Sequence, residues 1–245
     1  MTTTVGVEPP SRLRRVRHSI ASLGWRRAVH ETVTGRRPYE PAEDLTFDER
    51  HGTDTAGSVE PDQLGIADQV TRSNAILYLP SPLRVTNWML DHVGVDPSER
   101  TFVDLGCGKG RVLLVAAQRP FRRVVGIEVS EQLADIAADN AERYTGPPPR
   151  RAGIDVVTAD VTTVDLPATD LLIHAYHPFG TEILAGVLAR LDTSLQATPR
   201  RVTFAYLMYT AAVPEVAATF GRFGWRATRY EETVRGQYDW LFVER

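Results

Sequence analysis

The chain has 245 residues, 42% of them hydrophobic and 24% charged, with a formal net charge of −3. That length buries a substantial core, and the composition excludes a low-complexity or intrinsically disordered chain. No apolar run approaches the roughly 20 residues of a spanning helix, and the weak net charge excludes strong electrostatic attraction to nucleic acid or an anionic membrane, so no stable binding to either is expected.

Residues 1–42 read as a basic N-terminal extension. The first 40 residues hold eight arginines against Glu8, Glu31 and Glu40, a local charge of +5 that leaves −8 for the remainder. Leu13, Val16, Ile20 and Leu23 recur at helical spacing, which predicts a basic amphipathic helix within 11–33. Three uses of it stand open: a face packed on the core, a substrate-docking arm, or a membrane-surface or transit segment. Cys107 is the sole cysteine and excludes an internal disulfide. With no apolar leader evident, the cytoplasm is the expected location.

Residues 43–98 read as a lid followed by a helix. From Pro41 to Pro80 the chain is polar and rich in Asp, Thr, Gly and Pro, with weak periodicity only around Ile66 to Leu79, as in lids and binding loops or in partly disordered segments. Ser81 stands where an N-cap belongs and Pro82 at the first helical position. Val85, Trp88, Met89, His92 and Val93 then fall on one face, which makes His92 a buried structural imidazole.

From residue 99 to 245 short apolar runs alternate with amphipathic segments, the signature of a doubly wound α/β core with crossover helices and a mostly parallel seven-stranded sheet. Strands are expected near 101–105, 123–128, 154–159, 170–176, 201–208, 224–231 and 237–243. Helices are expected near 110–118, 131–143, 180–194 and 212–221. The turn around Arg235 and Gly236 is too short for a parallel crossover, so the last two strands form an antiparallel hairpin.

The run Thr101-Phe-Val-Asp-Leu-Gly-Cys-Gly-Lys-Gly-Arg111 passes from a buried strand through three alternating glycines into a helix. Glycines allow the tight turn and a close approach of ligand to main chain. A dinucleotide fingerprint needs its third glycine at 111, where Arg111 stands, and Asp104 would repel a pyrophosphate. The run also lacks the lysine-serine/threonine ending of a phosphate-binding P-loop. A carboxylate at the end of the first strand suits a cationic ligand instead.

This pattern resembles the class I, seven-strand S-adenosylmethionine-dependent methyltransferases. Their first motif, an acid, one residue, then Gly-x-Gly-x-Gly, is matched by Asp104, Gly106, Gly108 and Gly110. The resemblance implies S-adenosyl-L-methionine as cofactor and a Rossmann-like fold. It also implies that Glu128, ending the second strand, accepts both ribose hydroxyls. Asp160, after the third strand, would accept from the adenine amino group, and Val161 would follow with its backbone N–H. Cys107 lies within the loop as a tolerated small residue, with no histidine placed to activate it. Lys109, the one lysine of the chain, either contacts the cofactor's carboxylate or faces solvent.

The acceptor is expected beyond the fourth strand, where Tyr176, His177, Pro178 and Phe179 leave the sheet. This loosely resembles the Asn/Asp-Pro-Pro-Tyr/Phe motif of amino-group methyltransferases. Tyr176, His177 and Phe179 are the candidate catalytic residues, with His177 either a general base or a shaper of the pocket. His174 is assigned to the core, and no metal is required. A weaker resemblance, over roughly 76–180, is to small seven-strand lysine methyltransferases; it implies that Tyr78 lies against the sulfonium and that Thr55, with Thr53, Asp54 and Gly57, contacts the cofactor from a lid.

The expected function is methyl transfer to an acceptor atom, nitrogen by preference, on a protein side chain or small metabolite, by a monomer or homodimer. The competing classes are a catalytically silent S-adenosylmethionine-binding regulatory module and, disfavoured by Asp104 and Arg111, an NAD-dependent oxidoreductase.

Overall fold

The computed structural model describes residues 44, 46–66, 68–147, 153–232 and 238–245. The basic helix expected within 11–33 and the turn at Arg235 and Gly236 lie outside the described residues.

Seven strands form one sheet in the order β3-β2-β1-β4-β5-β7-β6. They are β1 Thr101–Leu105, β2 Arg123–Glu128, β3 Ile154–Thr158, β4 Leu171–Tyr176, β5 Val202–Tyr209, β6 Arg226–Glu232 and β7 Tyr238–Glu244. The first five run parallel, and β7 lies antiparallel between β5 and β6. Among the described residues the helices are α1 Phe47–His51, α2 Gln69–Asn74, α3 Leu83–His92, α4 Arg111–Ala116, α5 Glu131–Arg143, α6 Thr181–Ala197 and α7 Val213–Arg222.

The continuous apolar runs of β1, β4 and β5 follow from their place between helices on both sheet faces. Successive side chains point to opposite faces. Val103, Ile173 and Tyr206 therefore pack with Leu184 and Leu188 of α6 and Phe220 of α7. Their neighbours Phe102, Leu172 and Ala205 pack with Met89 of α3 and Leu113 of α4. Strand order reverses at β1, which has β2 on one side and β4 on the other. Loops leaving the carboxyl ends of these strands diverge there, opening a crevice above the glycine loop.

Two local expectations need correction. Pro82 is the N-cap of α3 and Leu83 its first residue; Ser81 is buried and does not cap. The Leu83 N–H is instead taken by Asp44 Oδ1 at 2.8 Å, a long-range cap no local pattern signals. The buried face of α3 is Leu83, Thr86, Met89 and Leu90, which leaves His92 exposed and stacked on Trp88 at 5.0 Å.

The polar stretch before α3 is more ordered than its composition implies. It carries α1, a 3₁₀ turn at Pro61–Gln63 and α2, and bridges pair Val59 with Tyr78 and Ala75 with Phe179. Its backbone groups are satisfied by the core and by itself, not by a regular sheet, so periodicity could not reveal it.

Candidate active site

A cleft of about 920 Å³, counting the open space at its mouth, lies over the carboxyl ends of β1, β2 and β4. Its walls include Asp104, Gly106, Cys107 and Gly108 from β1 and its loop, and Glu128 from β2. Asp160 and Val161 follow β3, Tyr176 ends β4 and Phe179 follows it, and Tyr78 closes the remaining side. Ten of the thirteen residues expected at the site therefore meet around one space.

The glycine loop owes its shape to positive φ values of 72° at Gly106, 55° at Gly108 and 82° at Gly110. Side chains seal it from outside. A Cβ at Gly106 would stand 2.5 Å from Pro178 Cβ, and one at Gly108 would collide with the Tyr78 ring. Gly110 serves differently: it is the N-cap of α4 and lets that turn approach Ala137 of α5, where a Cβ would be 3.1 Å away. It stands outside the cleft wall.

Glu128 is buried, and its two oxygens accept from the backbone N–H groups of Gly108 and Ser130, each at 2.9 Å. Burial pushes its carboxyl above its ordinary value, opposed by those hydrogen bonds. A carboxylate offers about four lone-pair sites, so each oxygen keeps capacity for a ligand hydroxyl. Asp160 accepts from the Thr162 N–H at 2.7 Å, the Thr162 hydroxyl at 2.6 Å and the Thr71 hydroxyl at 3.0 Å. Burial alone would raise its carboxyl; these bonds outweigh burial and hold it below the usual range.

Asp104 is also buried, and its Oδ1 accepts from Nδ1 of His174 at 2.6 Å. His174, assigned to the core from sequence, is 1% exposed yet contributes to the cleft wall. Cys107 is enclosed as well: burial, then the charges of Glu128 and Asp104, drive its thiol well above its ordinary value, which disfavours the thiolate.

Besides Gly110, Thr55 and His177 stand off the cleft wall, and so does Lys109. Thr55 is fully buried behind Tyr78, whose hydroxyl donates to the Thr55 carbonyl at 2.8 Å. It supports the ring and is absent from the wall. Lys109 neither faces solvent nor enters the cleft; it pairs with Asp54 at 2.8 Å and donates to the Ala56 carbonyl at 3.1 Å. His177 turns away from the cleft towards Tyr206 and Tyr209, with ring centroids 6.1 and 6.0 Å away. Burial lowers its imidazole pKa and Glu215 partly opposes this. Among the described residues it is the one non-glycine with positive φ, at 38°.

Sequence reasoning missed the buried strap that carries Tyr78's support. Arg111 Nε donates to Thr55 Oγ1 at 2.7 Å, and its Nη1 lies 3.4 Å from Asp44 Oδ1. The Thr53 and Thr55 hydroxyls both donate to Asp48 Oδ1 at 2.7 Å. Asn140 joins the strap to the loop, donating to the carbonyls of Asp54 and Lys109, both at 2.9 Å, and accepting from the Asp54 N–H at 2.7 Å. One signal was available: Asn140 follows Leu133 and Ala137 on the apolar stripe of α5, where a lone amide needs partners.

The strand order, the reversal at β1 and the acid-and-glycine loop beneath an acidic cleft give this core a fold shared with S-adenosylmethionine-dependent methyltransferases. Residues 102–199 match the family profile described as "Methyltransferase domain". Among curated proteins the chain is 32% identical over 108 residues to the ribosomal protein L11 methyltransferase of Thiobacillus denitrificans, covering 41% of this chain and 36% of that one. It is 31% identical to the enzyme of the same name from Idiomarina loihiensis, covering 38% and 36%. The chain thus spans little more than a third of the length of these relatives. Among solved structures, an S-adenosylmethionine-dependent methyltransferase from Aquifex aeolicus shares the fold at 15% identity, with a TM-score of 0.52 over 76% of this chain and 98% of that one. The ribosomal protein L11 methylase of Lactobacillus delbrueckii subsp. bulgaricus does so at 19% identity, with a TM-score of 0.50 over 66% and 77%.

Proposed function

We propose that the chain is an enzyme that uses S-adenosyl-L-methionine to methylate a nitrogen acceptor, with a protein side chain favoured over a small metabolite. The observation that carries this reading is the cleft: Gly106 and Gly108 of the glycine loop in its wall, with Asp104, Glu128 and Asp160 around one space. Three carboxylates disfavour a pyrophosphate and suit a ligand that brings hydroxyls, an amino group and positive charge. Arg111, the cation of the wall, is already engaged by Thr55 and Asp44.

In this reading Glu128 accepts the ribose hydroxyls. Asp160 accepts from the adenine amino group, the Val161 N–H donates to the ring, and Asp104 accepts from the ammonium of the methionine portion. The cofactor supplies an electrophilic methyl group on a cationic sulfur. The protein's share is alignment and exclusion of water. Tyr78 and Phe179 close the cleft, and the Tyr78 ring face attracts positive charge. Tyr176, at the end of β4, borders the side from which an acceptor approaches, with His177 on the outer flank of that entrance. Residues 43–98 act as lid and support, and 99–245 as the catalytic core, in a cytoplasmic monomer or homodimer.

Support for a protein acceptor comes from the named activity of the L11 methyltransferase relatives. The test is incubation of the purified chain with methyl-labelled S-adenosylmethionine and either a protein or a small-metabolite fraction. Label in protein with release of S-adenosylhomocysteine is expected. Cofactor uptake without turnover on either fraction would favour a silent binding module, and absence of uptake would overturn the reading.

A further inference from the structure

Asp104 and His174 are paired residues of adjacent parallel strands: in the β1–β4 register Asp104 lies opposite His174, on the same sheet face. The imidazole Nδ1 stands 2.6 Å from Asp104 Oδ1, with the two side chains 1% and 3% exposed. A carboxylate only accepts, so Nδ1 carries the proton. The ring is set by its neighbours, Phe102 nearly parallel at 6.2 Å and Trp240 tilted at 5.7 Å. Its Nε2 is buried without a hydrogen-bond partner among the described residues. No hydrogen bond to the Asp104 carboxylate other than that from His174 is present among the described residues. Both side chains line the cleft.

We infer that His174 is a positioning residue for the cofactor's ammonium: by engaging Oδ1 it fixes the Asp104 carboxylate so that Oδ2 faces the cleft as the acceptor. The inference rests on the proposed use of S-adenosylmethionine. Its physical basis is the broad, twofold torsion of an aspartate carboxylate, which a single short hydrogen bond restricts to one orientation. A donor that strong, buried and held between two aromatic rings, orients its partner before any ligand arrives. A histidine serving only to fill the core needs no contact with a cleft-lining acid.

Three probes separate positioning from mere packing. S-adenosylhomocysteine carries the ammonium and the carboxylate, S-adenosyl-3-thiopropylamine keeps the ammonium alone, and methylthioadenosine lacks both. In calorimetry, His174→Leu should weaken the first two by roughly tenfold or more, the scale of a hydrogen bond to a charged group. Methylthioadenosine should change by less than about twofold, since its adenine and ribose contacts lie on Glu128 and Asp160. His174→Asn, whose amide nitrogen sits at the same δ position as the imidazole donor, should recover most of the lost affinity. Equal losses for all three probes, or a loss confined to S-adenosylhomocysteine, would overturn the inference. Where His174→Leu fails to fold, two readouts decide: the His174→Asn ratios, and the imidazole ¹⁵N signals of the unaltered chain. A His174 Nδ1–H signal that moves with the two ammonium-bearing probes and not with methylthioadenosine is expected; a signal indifferent to all three overturns the inference. Failure of the unaltered chain to bind any probe would instead overturn the cofactor reading itself.

Discussion

The Tyr78 ring lies directly on Gly108, leaving no room for even a methyl group between the ring and the glycine loop. Tyr78 cannot readily withdraw. Its hydroxyl is bonded to the Thr55 carbonyl at 2.8 Å, and its backbone exchanges hydrogen bonds with Val59. The Tyr78 segment and the glycine loop are thus one packed unit.

Gly108→Ala meets two penalties, the ring and a φ of 55°. The left-handed backbone alone costs about 1–2 kcal/mol for a residue with a Cβ. Thermal melting should fall, and S-adenosylhomocysteine affinity should drop on the order of tenfold as Tyr78 is displaced. Gly57→Ala is the control, because its φ of 86° adds the same backbone strain with nothing within 4 Å of the new Cβ. It should lower stability alone, and an unchanged affinity in Gly108→Ala would remove the Tyr78 contact from the site.

Glu128 sets a pH dependence. Burial raises its folded-state pKa above the ordinary value of 4.5, so the folded chain binds this proton more readily than the unfolded one. Its contribution to stability therefore falls as pH rises through the window just above 4.5, and is recovered on acidification into it. Glu128→Gln should flatten that part of the profile. It should also cost about 1–3 kcal/mol at neutral pH, since one of the two buried N–H groups loses its acceptor. Urea unfolding across the mildly acidic range measures both effects, and a slope retained in Glu128→Gln would assign the dependence to another group.

Arg111→Met leaves Asp44 without its buried cation and Thr55 without its donor. Removing one partner of a buried pair costs about 3–5 kcal/mol. The loss should fall on the strap, with amide exchange over residues 46–57 accelerating well before that of β1 and β4. Adding Asp44→Asn should restore part of the protection, because the amide oxygen still caps α3 at Leu83 without a charge. Uniform acceleration across the sheet would contradict a local strap.

His177→Asn should leave S-adenosylhomocysteine affinity within about twofold, because the side chain does not line the cleft. Asparagine tolerates a φ of 38° better than histidine does, so the melting temperature should hold or rise. A loss of affinity matching that of Gly108→Ala would mean that His177 reaches the cofactor.

The linear order of residues determined the seven strands, four of the core helices and the glycine loop. Buried parallel strands are continuous apolar runs, and the left-handed turns at 106, 108 and 110 admit glycine almost alone, so both leave local marks. The acids at 104, 128 and 160 were legible for the same reason, each standing at or just past a strand end. Only the tertiary structure decided which partner each group found. His174 meets Asp104 through a strand register, Arg111 meets Asp44 across 67 positions, and His177 turns outward although its neighbours Tyr176 and Pro178 line the cleft. Periodicity describes which way a side chain points within its own element. It carries no information about what the next element brings opposite it, and that is where the strap, the Asp104–His174 pair and the shape of the cleft mouth arise.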